Sequence, residues 1–242
     1  MRTALTRTVP RGKLKRGEAA MTVKFHLLDA YREIPARLRR PIKRELQDAL
    51  VTISSHISID RTDVLIAPGK WVIPEYGLTG QTGGKGRLTI TVDPASPRLD
   101  DPERADRLLG TLAHELHHVL RMRGPGYGTS LGESLVSEGL AQCFEEEVGA
   151  PTPFYAVFLD ASALAKAEAR AKEAPPLLPY DHNAWYFGRR GDAEWPRYAG
   201  YSLGYALVKA WLDVNDATAA ASAAVAANRV LGPWKAGELE IS

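Results

Sequence analysis

Apolar positions along the chain recur first with the period of strands and later with the period of helices. Val23 to Leu28 alternates and then turns apolar, which predicts a first strand. From Ile34 to Ile53, Leu38, Ile42, Leu46, Leu50 and Ile53 recur at intervals of three or four. That spacing builds one helix face, with Pro35 and Pro41 in its early turns. Ile57 to Ala67, through Val64, Leu65 and Ile66, predicts a second strand, and the glycine- and proline-rich residues 68–86 read as a loop. Leu88 to Val92 alternates cleanly, as a half-buried or edge strand does, and Asp93-Pro94 ends it. After Asp100 the pattern turns helical. Asp100 or Asp101 can cap a helix over 102–122, which Gly124-Pro125-Gly126 stops. Helices over 131–148, 156–173, 201–214 and 217–230 follow, interrupted by an irregular stretch that Pro175, Pro176 and Pro179 open and that runs to about residue 198. Strands early and helices late predict an α+β fold.

Composition narrows this picture. The 242 residues, 45% of them hydrophobic, suffice to bury a sizeable core. Residues 1–20 hold Arg2, Arg7, Arg11, Lys13, Lys15 and Arg16 without periodic hydrophobicity, and read as a disordered basic tail or an upstream extension. Residues 21–242 read as one domain, with a sheet-containing lobe to about 123 and a helical lobe over 124–242. A basic tail can touch nucleic acid, but a net charge of only +2 makes nucleic acid an unexpected partner. The cluster Arg37, Arg39, Arg40, Lys43 and Arg44 reads as the solvated face of the first helix. No run approaches the roughly 20 apolar residues of a membrane span, and the N-terminus lacks the apolar core of a signal peptide. Cys143 is the single cysteine, so no intrachain disulfide forms; a lone thiol fits a reducing, cytoplasmic location. The sequence sets no oligomeric state.

The candidate chemistry lies in the helix over 102–122. Leu108, Leu112, Leu116 and Val119 form its apolar stripe, while His114 and His118 sit nearly opposite, about 40° apart at 100° per residue. Stacked one turn apart, two imidazoles can reach one ion. Glu115, about 100° round from His114, is placed to handle a proton beside the metal rather than to bind it. A solvated polar face would explain the same pattern, yet three of the chain's six histidines fall within these five residues. A catalytic zinc site usually takes three protein ligands and leaves one position for water. Glu138, on the next helix with the small Ser134 and Ala141 one turn away, is the expected third ligand. Glu133 competes for that place. Glu145, Glu146 and Glu147 read as solvated surface, and His117 as a packed or supporting residue. Arg121 and Gly124 stand where a three-histidine metzincin site would need glycine and histidine, so that arrangement is excluded.

With these motifs the chain resembles the gluzincin group of zinc metallopeptidases. More narrowly it resembles a bacterial family of predicted zinc-dependent proteases, the YjaZ-like group. The matching pieces are Leu112 to His118, Gly132 to Ala141 and Gly200 to Tyr205, with weaker echoes at Asp93-Pro94 and over Trp185 to Gly188. The resemblance implies a zincin-like fold, in which a small N-terminal sheet packs on the active-site helix and a mainly helical lobe carries the third ligand. It implies that Leu88 to Val92 is the edge strand beside the cleft, where a peptide or protein substrate adds in extended form. Zinc on His114, His118 and Glu138 would then activate water, with Glu115 as general base. Tyr201 is the first candidate to assist the oxyanion, before Tyr205 and His182. Gln142 is the candidate to orient a ligand histidine, a task that falls to a carboxylate in related zincins. The rival reading is a zinc-binding regulatory module without hydrolysis, against which the intact Glu115 argues. Nothing in the sequence marks a substrate N-terminus, so an endopeptidase is expected.

Overall fold

The computed structural model describes residues 23–174, 180–189, 191–192 and 194–241. The predicted basic tail at 1–20 lies outside them. The described elements are β1 (Val23–Leu27), α1 (Ala36–Ile53), β2 (Thr62–Pro68), β3 (Leu78–Thr82), β4 (Arg87–Val92), α2 (Arg104–Arg123), α3 (Leu131–Glu147), α4 (Ala161–Glu173), α5 (His182–Phe187), α6 (Ala199–Val214) and α7 (Ala227–Ala236). Four strands and seven helices among the described residues make the fold α+β. No helix among them is long and apolar enough to cross a membrane.

The strands form one sheet in the order β1-β2-β4-β3. β1 and β4 each pair with β2 in parallel, and α1 provides the crossover that the parallel β1–β2 pair requires. β3 returns antiparallel to β4. The alternation in β2 and β4 turns Val64, Ile66, Leu88, Ile90 and Val92 into the core, where all are fully buried. α2 lies against β3 and β4, with α1 along one flank and α3 along another. Leu38, Ile42 and Leu46 of α1 and Leu108, Leu112 and Leu116 of α2 join the same apolar cluster.

Enclosed this way, α2 has no solvated face at its middle: every residue from Gly110 to Val119 is buried. α3 is buried over almost its whole length and is pressed between α2 and α6. The α3–α6 approach depends on glycine. A Cβ on Gly139 would lie 2.0 Å from the carbonyl oxygen of Gly204, inside any permitted contact.

Several sequence expectations are corrected. Leu88–Val92 is not the edge strand; it forms most of β4, between β2 and β3. The edges are β1 and β3, and β3 lies within the stretch 68–86 read as a loop. Its sequence, Leu-Thr-Gly-Gln-Thr, carries one strong apolar residue, Leu78, and so shows no apolar alternation. The second strand begins at Thr62 rather than Ile57. The helix expected over 156–173 splits into a 3-10 turn at Phe154–Val157 and α4. The irregular stretch contains the short α5, capped by Asp181 through the Ala184 amide. The helix expected over 217–230 is a run of turns, and α7 starts only at Ala227.

Candidate metal centre

Ser130 starts α3 with a reciprocal cap: its hydroxyl accepts from the Glu133 amide, and Glu133 Oε2 accepts from the Ser130 amide and hydroxyl and from the Thr129 amide. Those bonds hold Glu133 at the helix start, and it does not join the histidines. Two turns on, Glu138 lies on the side of α3 that meets α2.

There His114, His118 and Glu138 converge, with 7%, 6% and 5% of their surface exposed. His114 Nε2 lies 3.1 Å from Glu138 Oε2 and 3.0 Å from His118 Nε2, and His118 Nε2 lies 3.4 Å from Glu138 Oε1. Two atoms each about 2.05 Å from a tetrahedral zinc ion would stand about 3.3 Å apart. The three separations bracket that value, and the group could hold a metal ion. The chemistry of the donors agrees. Glu145 Oε1 lies 2.7 Å from His114 Nδ1, which assigns the ring proton to Nδ1 and leaves the Nε2 lone pair facing the other two donors. Lone pairs that meet in a buried space repel unless a cation sits among them.

Titration behaviour reflects the same field. Burial alone would lower the His114 pKa, but the carboxylates of Glu138 and Glu145 raise it well above the ordinary imidazole value, so without a metal a proton on Nε2 supplies the positive charge that a bound ion would replace. Burial acts to raise Glu138, and the two imidazoles overcome this and hold it well below the carboxylate range. Burial raises Glu145 even against His114 and Tyr155.

Glu145 corrects the reading of residues 145–147 as solvated surface. It is 2% exposed, and it also accepts from the Tyr155 hydroxyl at 3.1 Å. A carboxylate therefore orients His114, and Gln142 does not. The Gln142 amide, placed with its nitrogen toward the acceptors, donates to the carbonyls of Tyr201 and Glu138. Glu146 and Glu147 do lie nearer the surface, bonded to the Tyr205 hydroxyl and to the Ala220 amide. Tyr127 is a further residue that sequence reasoning passed over. Its hydroxyl donates to Glu138 Oε1 at 2.6 Å, and its ring packs edge-on against His118 at 5.4 Å.

Glu115, also buried, projects toward β3. The Thr82 hydroxyl lies 2.7 Å from its Oε2. Its Cγ occupies the space a side chain at Gly80 would take, since a Cβ there would approach to 2.4 Å. Glycine on the edge strand thus lets the carboxylate lie against the strand. Tyr201 stands close by: burial raises its phenol well above the usual value, and the charges of Glu138 and Glu115 raise it further. Tyr205 points elsewhere, to Glu146. His182 bonds to the Tyr180 hydroxyl at 2.9 Å and stacks on Tyr186 at 4.5 Å. His117 is fully buried, 3.1 Å from the Ala219 carbonyl and packed on Phe144. Burial lowers its pKa to about 3, so it is a neutral packing residue.

The chain matches the family described as Predicted Zn-dependent protease (DUF2268) over residues 44–232, and it belongs to that family. The match spans α2, α3 and α6, the helices that carry the convergent group and Tyr201. No curated protein and no solved structure matches the chain.

Proposed function

We propose that the protein is a zinc metallopeptidase of gluzincin type, in which His114, His118 and Glu138 hold the ion and Glu115 is the general base. One observation carries this reading. Three buried donor side chains converge beside a carboxylate that is not one of them. A zinc ion held there supplies Lewis-acid activation of a water and of a peptide carbonyl. Glu115 Oε1 takes the proton from the attacking water and delivers it to the departing amine nitrogen. Thr82 fixes the other oxygen, Oε2, so the carboxylate keeps one orientation throughout. The Tyr201 hydroxyl, kept protonated by its raised pKa, donates to the carbonyl oxygen as charge gathers there. Glu145 holds His114 in the tautomer that presents Nε2. Among the described residues the outer side of β3 is bridged at Leu78, by Ile73, and a peptide pairing with the strand beyond that bridge passes Gly80 and thus Glu115. On this reading the domain is zincin-like, with the edge of the sheet at β3 as the rim of the cleft.

Zinc-loaded protein is expected to cleave an unstructured protein such as casein, and protein stripped of zinc is expected not to. If fully loaded protein leaves a diverse peptide mixture intact, the regulatory zinc module is the better description.

A further inference from the structure

A cavity of about 650 Å³ lies between residues 125–133 and the start of α7, and none of His114, His118 and Glu138 lines it. Arg121 forms part of its wall. The residue is 1% exposed, and its hydrogen bonds go to neutral acceptors. Nε donates to Ser137 Oγ, and Nη1 donates to the carbonyls of Ala223 and Val225, each at 3.1 Å. No carboxylate among the described residues pairs with the guanidinium, and burial lowers its pKa to about 10 with no acid opposing the shift. A buried arginine is rarely left without a counter-charge. Nη2 has no hydrogen-bond partner among the described residues and is not shut off from solvent, so it opens on the cavity that Arg121 borders.

The same wall holds a second set of free donors. α7 begins at Ala227, and no side chain caps it. The amides of Ala227 and Asn228 have no acceptor among the described residues, and both residues line the cavity. The Val225 carbonyl that holds Nη1 stands two residues before Ala227, so the guanidinium and these amides lie side by side. The positive end of the helix dipole adds to the charge of Arg121. Lys235, exposed at the rim, adds more. Glu133 also lines the cavity, but its carboxylate is taken up by the Thr129 amide and by the amide and hydroxyl of Ser130. A guanidinium beside the open start of a helix is the donor set that phosphate oxygens take. A tetrahedral phosphate has oxygens enough for Nη2 and both amides at once, which a carboxylate lacks.

We infer that this cavity binds a phosphate group, held by the Arg121 guanidinium and the free amides at the start of α7. The inference stands apart from the peptidase reading above. The test is calorimetric titration of the full chain, zinc-loaded and zinc-free, with inorganic phosphate, methyl phosphate and acetate in a chloride background of fixed ionic strength. One phosphate is expected to bind per chain with or without zinc, and more tightly than acetate. Tighter binding of the free ion or of the ester supports the inference either way and tells which source the site suits. Arg121→Gln should abolish binding, but Arg121 also ties down the turn before α7. Ala227→Pro separates the two roles, because proline suits the first helical position and Ala226, at ψ 137°, has the backbone that precedes proline. That variant should keep the wild-type melting temperature and weaken phosphate by about tenfold, through the loss of one amide donor to a charged group. No saturable phosphate binding, acetate bound more tightly than phosphate, affinity unchanged in Ala227→Pro, or binding to the zinc-loaded protein alone, which would put the phosphate on the metal, each overturns the inference.

Discussion

Replacing Glu145 by glutamine separates two effects that the buried carboxylate produces. The amide oxygen can still accept from His114 Nδ1, so shape and hydrogen bond survive while the charge is lost. A zinc ion on Nε2 would draw electron density from the ring, and the carboxylate behind it would support that ring. Losing such a partner costs about 10- to 100-fold in metal affinity, or about 1.4 to 2.7 kcal/mol. In the metal-free protein the balance runs the other way. Burial raises the Glu145 pKa, so its charge is unwelcome there and its removal does not weaken the fold. The expected signature is a metal-free melting temperature that holds or rises, with a smaller gain on adding saturating zinc. For a chain of this size that gain should shrink by roughly 3 to 11 °C. Melting curves with and without zinc, together with chelator competition, measure both quantities. Glu146→Gln, which touches the partner of Tyr205 and Thr152 and none of the convergent donors, is the control and should leave the zinc-dependent gain unchanged. Wild-type zinc affinity in Glu145→Gln would refute the coupling between this carboxylate and the metal.

Four further substitutions probe the remaining contacts. Gly80→Ala pushes a methyl into the Glu115 side chain; zinc content should stay whole while peptide hydrolysis falls at least tenfold, and unaltered hydrolysis would show that Glu115 needs no such room. Gly139→Ala drives a methyl against the Gly204 backbone, which cannot yield as a side chain can, and should cost roughly 3 kcal/mol in denaturant unfolding; a loss under about 1 kcal/mol would mean that α3 and α6 have slack. Glu133→Ala removes half of the reciprocal cap and should cost about 1 kcal/mol with full zinc content; a drop in zinc would return Glu133 to the ligand set. Tyr127→Phe deletes the hydroxyl on Glu138 and should weaken zinc binding by about three- to tenfold in chelator competition, where no change would make that contact incidental.

The parts of the site that follow helical periodicity were legible from residues alone. His114 and His118 stack because they are one turn apart, and they meet Glu138 in the structure. Two further facts were present in the sequence and passed over. Glu145 follows Glu138 by seven residues, about two turns, so both share one face of α3. The spacing Ser130-x-x-Glu133 is that of a capping box, which gives Glu133 its structural task. What was not legible depends on tertiary cover. The polar side of α2 is read as solvated only if α3 is ignored, because α3 lies over it. β3 escapes a hydrophobic count because its Gly80 and Thr82 lie against Glu115 and its Gln81 is exposed, which leaves Leu78 as its core residue. Tyr127 sits in a turn, where no periodicity indicates that its hydroxyl reaches Glu138.

Zinc content and peptide hydrolysis, measured together on Glu115→Gln, test the division between binding and catalysis most directly. Glu115 is not one of the convergent donors, and its carboxylate lies instead against β3 and Thr82. The variant should therefore bind one zinc ion per chain as the wild type does, and should lose hydrolysis by about a hundredfold or more. Hydrolysis at the wild-type rate by the zinc-loaded variant would contradict the role of Glu115 as general base.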